Sequence, residues 1–331
     1  MLIFKHDTQI GGYQFKGIVS YSTVSTWDTV SDTGTVEVPR DVDLQGKEIS
    51  EVFKRGTPLS IKAGYNQGLA DVFTGFISDI VIDSPMNIKI QDLGWYLKQI
   101  NIKKSLTGAV ALTQIIQLIV DKVEEKHGFK IPFVITAEFN DMGNQRYTNA
   151  DGLAILNNLK KKYKAYSYFR NGTLYAGLRY PNIDQNTFLF WLDGDKNNTV
   201  NAGANLDFKR GEDIRVQIKA TSYYTDANGK QKKRTATAGV EGGKVVSRQA
   251  YNLGETELQN FADTELELIR FDGYTGYITI FGLPDVKHGD IVELKSVKFP
   301  ERDGRYLVKK VEKSMSVSGG LRQKVYIDLK I

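Results

Sequence analysis

The sequence predicts an α+β protein that is mainly β, with two similar small β-barrel (tube-like) modules on either side of an α+β middle domain. Short alternating runs separated by Gly, Pro, Asn and Asp occupy both ends of the chain. Apolar residues at helical spacing are confined to three stretches, and one turn-and-strand motif occurs twice. The predicted boundaries are 1–102 for the first module, 103–204 for the middle domain, and 205–331 for the second module with its one helix.

The repeated motif begins with a basic residue near a glycine and ends with Asp-Leu. Its first copy occupies 53–93 and its second copy occupies 286–329. Each copy predicts a basic-Gly turn, an alternating strand, a Gly-started strand and a last strand that ends in Asp-Leu. We therefore expect the two segments to have similar topology, with Gly56 and Gly289 at equivalent turns.

The first module is predicted to be β throughout residues 1–93. Runs such as 59–63 alternate apolar and polar side chains, as half-buried strands do. The Ser-Pro-Met-Asn sequence at 84–87 predicts a turn between strands at 76–82 and 88–90.

Helical spacing begins after residue 102. Ser105 or Thr107 is predicted to cap the first helix, and Gly128 is predicted to end it. A second helix is predicted to start near Asn149. We expect the apolar positions of both helices to be buried in the middle domain: Leu112, Ile115, Ile116, Ile119 and Val123 in the first, and Leu153, Leu156, Leu159 and Tyr163 in the second.

Two Asn-Gly pairs predict tight hairpin turns, because both central residues of the favoured turn need a left-handed backbone. The pair at 171–172 belongs to the middle domain and the pair at 228–229 to the second module. A third helix is predicted over 255–270. The second copy of the repeated motif follows, and its last hairpin is predicted to turn at 318–320.

Composition places the chain among soluble folded proteins of two or three domains. It has 331 residues, 41% hydrophobic and 25% charged, with a net charge of +5. The absence of cysteine excludes disulfides and thiolate metal sites. The first residues are too short an apolar run for a signal peptide, and no stretch reaches membrane-spanning length, so we expect a soluble chain without its own export signal.

Residues with catalytic or metal-binding chemistry are scattered. His6, His127 and His288 lack ligand spacing, so a local hydrogen-bonding or solvated role is favoured over a metal site. The carboxylate pairs Glu124-Glu125 and Glu265/Glu267 are typical of solvated helix surfaces rather than of an acid/base pair across a cleft. The sequence therefore assigns no catalytic, cofactor-binding or metal-binding residue.

Two basic runs and an aromatic cluster permit nucleic-acid binding as an alternative. The first run lies between 152 and 183 and the second between 227 and 240, and neither run contains an Asp or a Glu. Solvated faces are favoured over nucleic-acid binding, and docking onto acidic neighbours in an assembly is a third interpretation. Cross-strand packing is likewise favoured over base stacking for the aromatic cluster of Tyr163, Tyr166, Tyr168, Phe169, Tyr175 and Tyr180.

The order of these features resembles the late-control gene D proteins. Residues 151–177 carry an Asp near a helix start, a Leu-rich face, a basic-aromatic end, and an Asn-Gly hairpin that ends in Gly, as in the middle of that family. The family's C-terminal order is matched by Gly282-Leu283-Pro284, Gly289-Asp290, Gly304-Arg305-Tyr306 and 308–311. Residues 73–77 are similar to its N-terminal module, so the resemblance covers about 53–329.

The resemblance implies a structural, non-enzymatic baseplate hub of a contractile phage tail or a related injection system, similar to the N-terminal hub part of type VI secretion spike proteins. Two barrel modules per subunit would form a homotrimer with a pseudo-six-fold ring. This ring would join the hexameric tail tube above to a trimeric spike below, contact other baseplate proteins, and surround a pore for DNA or a tape-measure protein. It implies a location in the virion tail baseplate after assembly in the host cytoplasm, no cofactor, and a spike on another polypeptide, because the chain ends after the second module.

Two other functions remain open from the residues themselves. The first is a tail-associated cell-wall hydrolase, against which the lack of a convincing catalytic constellation argues. The second is a carbohydrate-binding tail adhesin. A peptidoglycan turnover assay tests the first and glycan binding by the isolated chain tests the second.

Overall fold

A computed structural model describes residues 3–15, 17–39, 44, 46–47, 49–66, 68–81, 83–181, 185–201, 203–225 and 230–331. The turn predicted at 228–229 and the strand end predicted at residue 82 lie outside the described residues. The strands are β1 Phe4–Ile10, β2 Tyr13–Phe15, β3 Ser20–Thr26, β4 Thr33–Val38, β5 Pro58–Tyr65, β6 Gly68–Val81, β7 Met86–Gln91, β8 Ile102–Leu106, β9 Phe133–Ile135, β10 Gln145–Ala150, β11 Tyr166–Arg170, β12 Thr173–Gly177, β13 Thr187–Trp191, β14 Leu206–Lys209, β15 Val216–Thr225, β16 Gln231–Gly239, β17 Lys244–Tyr251, β18 Gly273–Phe281, β19 Ile291–Lys295, β20 Gly304–Ser316 and β21 Gly320–Lys330. The helices are α1 Ile49–Val52, α2 Gly94–Gln99, α3 Leu112–His127, α4 Gly152–Tyr163 and α5 Glu255–Glu267.

One large sheet runs through both terminal regions, in the order β14-β18-β21-β20-β3-β4-β7-β6-β5-β1-β2, with β19 on β20 and β13 on β19. The long strand β20 joins the two regions. One edge of β20 pairs with β21, while the other pairs first with β19 and then, from Lys310 to Ser316, with β3. The fold is thus mainly β with added helices, as the sequence predicts.

The predicted closed barrels are not found among the described residues, because the sheet path ends at β14 and β2 instead of returning to its start. The physical reason lies in β20, whose one edge pairs first with β19 of the same region and then with β3 of the other region. Alternation in a sequence indicates which face of a strand is buried, but not which strand lies at each edge. Within the sheet, β5-β6-β7 and β19-β20-β21 each pair as an antiparallel meander.

The middle domain packs α3 and α4 against the small sheet β11-β12-β9. The predicted cap of α3 is wrong, because Ser105 lies in β8, opposite Arg146 of β10. Instead, the Gln114 side chain accepts a hydrogen bond from the Ala111 N–H at 3.0 Å. The predicted stop is confirmed: Gly128 has a left-handed φ of 75°, and its N–H donates to Glu124 O.

The predicted core positions of the two helices are mostly confirmed. The buried members are Leu112, Ile115, Ile116, Ile119, Val123, Leu156 and Leu159. Leu153 and Tyr163 are only partly buried against this core. Helix α4 starts after Asp151, whose carboxylate accepts from Ala154 N–H at 2.8 Å and caps the helix.

A further unit is inserted between β14 and β18 and has its own apolar core. The sheet β16-β15-β17 packs one face on α5, around Ile218, Leu258 and Ala262. Its ends are tied together where Gly211 N–H donates to Asp272 Oδ1 at 2.6 Å. The sequence predicts the antiparallel partner β16, but it misses the parallel strand β17 and extends the helix three residues too far.

No helix among the described residues is long and apolar enough to span a membrane.

Replacing Leu156 by Ala should lower the free energy of unfolding by about 2 to 5 kcal/mol, because a fully buried Leu loses its packing and leaves a cavity. Asn158→Ala is the matched control on the exposed face of the same helix, with an expected change of about 0.5 kcal/mol or less. Urea denaturation measures both. A loss of less than about 1 kcal/mol for Leu156→Ala would show that this stripe does not hold the middle domain together.

Candidate functional site

The turn before β5 is fixed by a left-handed glycine. Gly56 has a φ of 86°, a conformation that L side chains rarely adopt. Its N–H donates to Ile77 O at 2.8 Å, and the Ile77 N–H donates to Thr57 O at 2.9 Å. Thr57 Oγ1 also accepts from the Lys54 N–H at 3.1 Å. The turn is therefore tied to the middle of β6.

The turn before β19 has the same set of hydrogen bonds. Gly289 has a φ of 85°. Its N–H donates to Val308 O at 2.8 Å, and the Val308 N–H donates to Asp290 O at 2.8 Å. Asp290 Oδ2 accepts from the Lys287 N–H at 2.8 Å. Each of these bonds has a counterpart in the turn at Gly56.

A buried ion pair distinguishes the second turn from the first. Arg170 Nη2 donates to Asp290 Oδ1 and Arg170 Nη1 donates to His288 O, both at 2.8 Å. The Arg170 and Asp290 side chains are 6% and 0% exposed. Since Arg170 is the last residue of β11, this pair joins the middle-domain hairpin to the second module. Breaking such a pair leaves an uncompensated buried charge.

His288 connects all three parts of the chain. Its Nδ1 lies 2.8 Å from Ser25 Oγ of β3, and its ring packs edge-on against Tyr168 of the middle domain. Burial, together with the nearby charges of Arg170 and Lys287, lowers the pKa of His288 to about 3. The imidazole is therefore neutral across the physiological range.

A second contact between units is centred on Trp27, directly after β3. Trp27 Nε1 donates to Tyr180 Oη, and Tyr180 Oη donates to Asp328 Oδ2 at 2.7 Å. Tyr166 packs edge-on against Trp27 with ring centroids 5.2 Å apart. Burial and the Asp328 carboxylate raise the pKa of Tyr180, so the phenol stays protonated and acts as a donor. Asp28 adds an ion pair with Lys160 of α4 at 2.6 Å.

A cavity of about 630 Å³ lies where the three parts meet. Strands β3 and β6, the hairpin tip at 169–172 and the turn at 286–288 contribute to its lining. Two carboxyl groups line it as well, and burial is the main cause of their shifted pKa values. The pKa of Asp92 rises to about 6, and that of Asp32 rises well above its ordinary range, partly because Asp92 is close.

The Ser25–His288 contact does not have the geometry of a nucleophile activated by a base. A triad needs a carboxylate on the second imidazole nitrogen, whereas Asp32 shares a hydrogen bond with Ser25 itself. A histidine whose pKa is about 3 also takes up the serine proton poorly at neutral pH. What the arrangement can do is fix three chain segments to one another.

The other candidate residues lie apart. His6 is on β1, His127 ends α3 against the Tyr96 ring, and His288 is at the junction. The described residues contain no group of three or more potential metal ligands. Glu124 and Glu125 are exposed on α3.

The aromatic cluster is divided by the fold. Tyr168, Phe169 and Tyr175 are buried, with Tyr168 and Tyr175 stacked across the hairpin, so the predicted cross-strand packing is confirmed for that pair. Tyr163 instead faces the inserted unit, where its ring centroid lies 5.6 Å from that of Tyr251. The sequence does not predict that Arg170, Asp290 and Trp27 lie at the junction. The nearest signal in the sequence is the Asn-Gly turn that follows Arg170.

No family model and no curated protein matches the chain. Solved structures do match it. A tail protein from Neisseria meningitidis MC58 is 15% identical, with 98% of this chain and 96% of that chain covered and a TM-score of 0.66. The 43 kDa tail protein of prophage MuSo2 from Shewanella oneidensis is 15% identical, with 98% of each chain covered and a TM-score of 0.62.

A type VI secretion component from E. coli, described as similar to the T4 tail proteins gp27 and gp5, is 9% identical. The match covers 97% of this chain and 76% of that chain, with a TM-score of 0.58. At these identities the likeness shows the fold. The chain has the fold of phage tail and type VI secretion proteins, and the predicted resemblance to baseplate hub proteins is confirmed at that level.

Asp290→Asn should lower the free energy of unfolding by about 3 to 5 kcal/mol, because it leaves the Arg170 guanidinium buried beside a neutral amide. The matched control is Asp79→Asn, which breaks the exposed pair Arg55–Asp79 near the equivalent turn, with side chains 69% and 35% exposed. Its expected cost is about 1 kcal/mol or less. Urea denaturation measures both, and equal costs would contradict a junction held by the buried pair.

The neutral state of His288 predicts a pH dependence. The pKa of this group is about 3 when folded and 6.5 ordinarily, so the unfolded chain binds more protons between these values. Stability should therefore fall as the pH drops through this window. His288→Gln removes the contribution and should flatten the decline between pH ~7 and ~4.5. The raised pKa values of Asp32 and Asp92 make stability change with pH in the opposite direction, but equally in the unmodified chain and in the His288→Gln variant. Parallel pH profiles of stability for the two proteins would contradict the prediction.

Proposed function

We propose that this chain is a structural, non-enzymatic hub of a phage-type tail or related injection device. Three copies would form a pseudo-six-fold ring between a hexameric tail tube and a trimeric spike. The observation that carries the proposal is the pair of turns at Gly56 and Gly289, whose hydrogen bonds correspond one for one. Each turn leads into a three-stranded antiparallel meander. One subunit then supplies two similar wall segments, and three subunits supply six.

The domain division 1–102, 103–204 and 205–331 belongs to this proposal, with the inserted unit as an appendage of the last part. The first and second modules would form the wall, and the middle domain would lie outside it against other baseplate proteins. The continuous sheet supports this arrangement, because β20 and β3 hold the two modules of one subunit at a fixed angle. DNA or a tape-measure protein would pass through the pore of the ring.

The free edges of the sheet are the proposed contacts between subunits. Among the described residues, the path ends at β2 on the first module and at β14 on the second. The outer side of β13 pairs with no further described strand, although the Asn198 side chain bonds the Trp191 N–H and the Leu189 carbonyl there. A contact between unlike edges is heterologous. It forms a closed ring when the rotation that relates neighbouring subunits returns to its start after a whole number of copies. Leu189 on β13 is 44% exposed, which suits a surface that a neighbour covers.

A group of exposed apolar residues marks a candidate contact with a tube or spike protein. Tyr65 Oη contacts both the N–H and the carbonyl of Leu321, which brings the β5–β6 and β20–β21 hairpin tips together. Leu69, Phe281, Leu283 and Val317 are 42%, 40%, 36% and 88% exposed near these tips. A continuous apolar patch on a folded protein usually marks an interaction site.

The copy number in the assembled particle tests the ring directly. A reconstruction should place this chain at the tail axis in three copies, each with two wall segments around an open pore. Six copies at the axis, or any position off the axis, would sink the hub proposal. The location implied is the virion tail baseplate, after assembly in the host cytoplasm.

Leu189→Lys should prevent ring closure, since it puts a charge on the proposed edge contact. The residue is exposed in the single chain, so its free energy of unfolding should change by about 0.5 kcal/mol or less. Val245→Lys, at a 55% exposed position in the separate sheet β16-β15-β17, is the matched control. Incorporation of each variant into tail particles is the measurement. Equal incorporation of both variants would show that the β13 edge is not the contact.

A further inference from the structure

One lysine from each basic run lies beside a row of tyrosines where the middle domain meets the inserted unit. Lys162 Nζ, at the end of α4, lies 4.8 Å from the ring centroid of Tyr163. The Tyr163 ring lies 5.6 Å from that of Tyr251 on β17, and Tyr251 lies 6.0 Å from Tyr223 on β15. The register partner of Tyr223 on β16 is Lys233. Three tyrosines thus form a row with lysines at both ends.

This row continues into the open face of the three-stranded sheet. Ile218 and Ala220 of β15 are fully buried in the core beneath α5. Neighbouring residues on a strand point to opposite faces. Lys219, Thr221 and Tyr223 therefore lie on the face that points away from the helix, and Tyr223 is 37% exposed.

The outer face is rich in hydrogen-bonding groups, and the three strands that form it carry no acid. Lys219 has Thr237 and Ser247 as register partners, and Thr221 has Thr235 and Gln249. None of the strands β15, β16 and β17 contains an Asp or a Glu. Lys219 and Lys233 thus give the face a positive charge with no carboxylate of the same strands beside them.

We propose that this face binds an anionic polysaccharide. Hydroxyl and amide side chains both donate and accept hydrogen bonds, which matches the hydroxyl groups of a sugar chain. Tyrosine offers an apolar ring to the C–H face of a pyranose and a polar tip to its hydroxyls. Lysines without acidic neighbours attract carboxylate or phosphate groups on the polymer. The proposal does not depend on the hub assignment.

Single-stranded nucleic acid fits the same face less well. Single-stranded nucleic acid stacks successive bases on several free rings, whereas only Tyr223 of this row is exposed, which suffices for one sugar but not for a run of bases. The two arginines of the strands also serve other contacts. Arg248 pairs with Glu265 at 2.5 Å, and Arg234 lies over the Tyr224 ring and donates to Leu253 O.

Binding of the full chain to immobilised polymers tests the proposal. The probes are alginate for carboxylate, a phosphomannan for phosphate, dextran as the neutral glycan and oligo(dT) for nucleic acid. We expect binding to alginate, the phosphomannan or both, no binding to dextran, and weakening by salt. Tyr223→Ala and Lys219→Gln should each weaken that binding about fivefold, the effect of losing one typical contact.

Control variants locate the binding on this face. Tyr223→Phe keeps the ring and should retain most of the affinity, and Lys5→Gln, on the distant strand β1, should change nothing. If the Tyr223→Ala variant does not fold, the binding of the Lys219→Gln variant, changed at an exposed position, tests the proposal alone. The proposal is overturned by equal binding to dextran, by binding that both face variants leave intact, or by no binding to either anionic glycan. Tighter binding to oligo(dT) that the face variants abolish would assign the surface to nucleic acid instead.

Discussion

Asp290 accepts hydrogen bonds from three places in the chain: the turn at Lys287, the start of β13 at Asn186, and the hairpin tip at Arg170. It is fully buried, so its charge is tolerated only because the Arg170 guanidinium lies against it. This contact and the hydrogen bond from Tyr180 to Asp328 together fix the middle domain on the second module. The turn at Gly56 has the same backbone but no such partner, which is why only the second module carries the hairpin.

The junction combines shared apolar packing with directed polar contacts. Val30 and Leu97 of the first module belong to the apolar cluster of the middle domain, and Met315 and Leu321 of the second module belong to that of the first. Arg170, His288, Trp27 and Tyr180 add hydrogen bonds between the parts. Hydrogen bonds fix direction more strictly than apolar packing does. In the proposed ring, such contacts would hold the two wall segments of one subunit at one angle.

The inserted unit contributes little to this junction and has a core of its own. It is tied to the second module at the base, through Gly211 and Asp272, and it meets the middle domain at Tyr251 and Tyr163. Its open sheet face lies outside the contacts centred on Asp290 and Trp27. A surface of this kind can carry a binding function without disturbing the assembly.

The sequence by itself determined the local structure. The spacing of Leu156 and Leu159 identified a buried helix face, Gly128 identified a helix end, and the glycines at 56 and 289 identified two turns, because each signal depends on near neighbours in the chain. Only the tertiary structure decided which strands pair across modules, as β20 does with β3, and which distant side chains meet. Arg170 and Asp290 are 120 positions apart, and no local pattern distinguishes a buried ion pair from two solvated charges. The same holds for the basic runs, since one lysine from each lies beside the row of tyrosines only because α4 and β17 pack together.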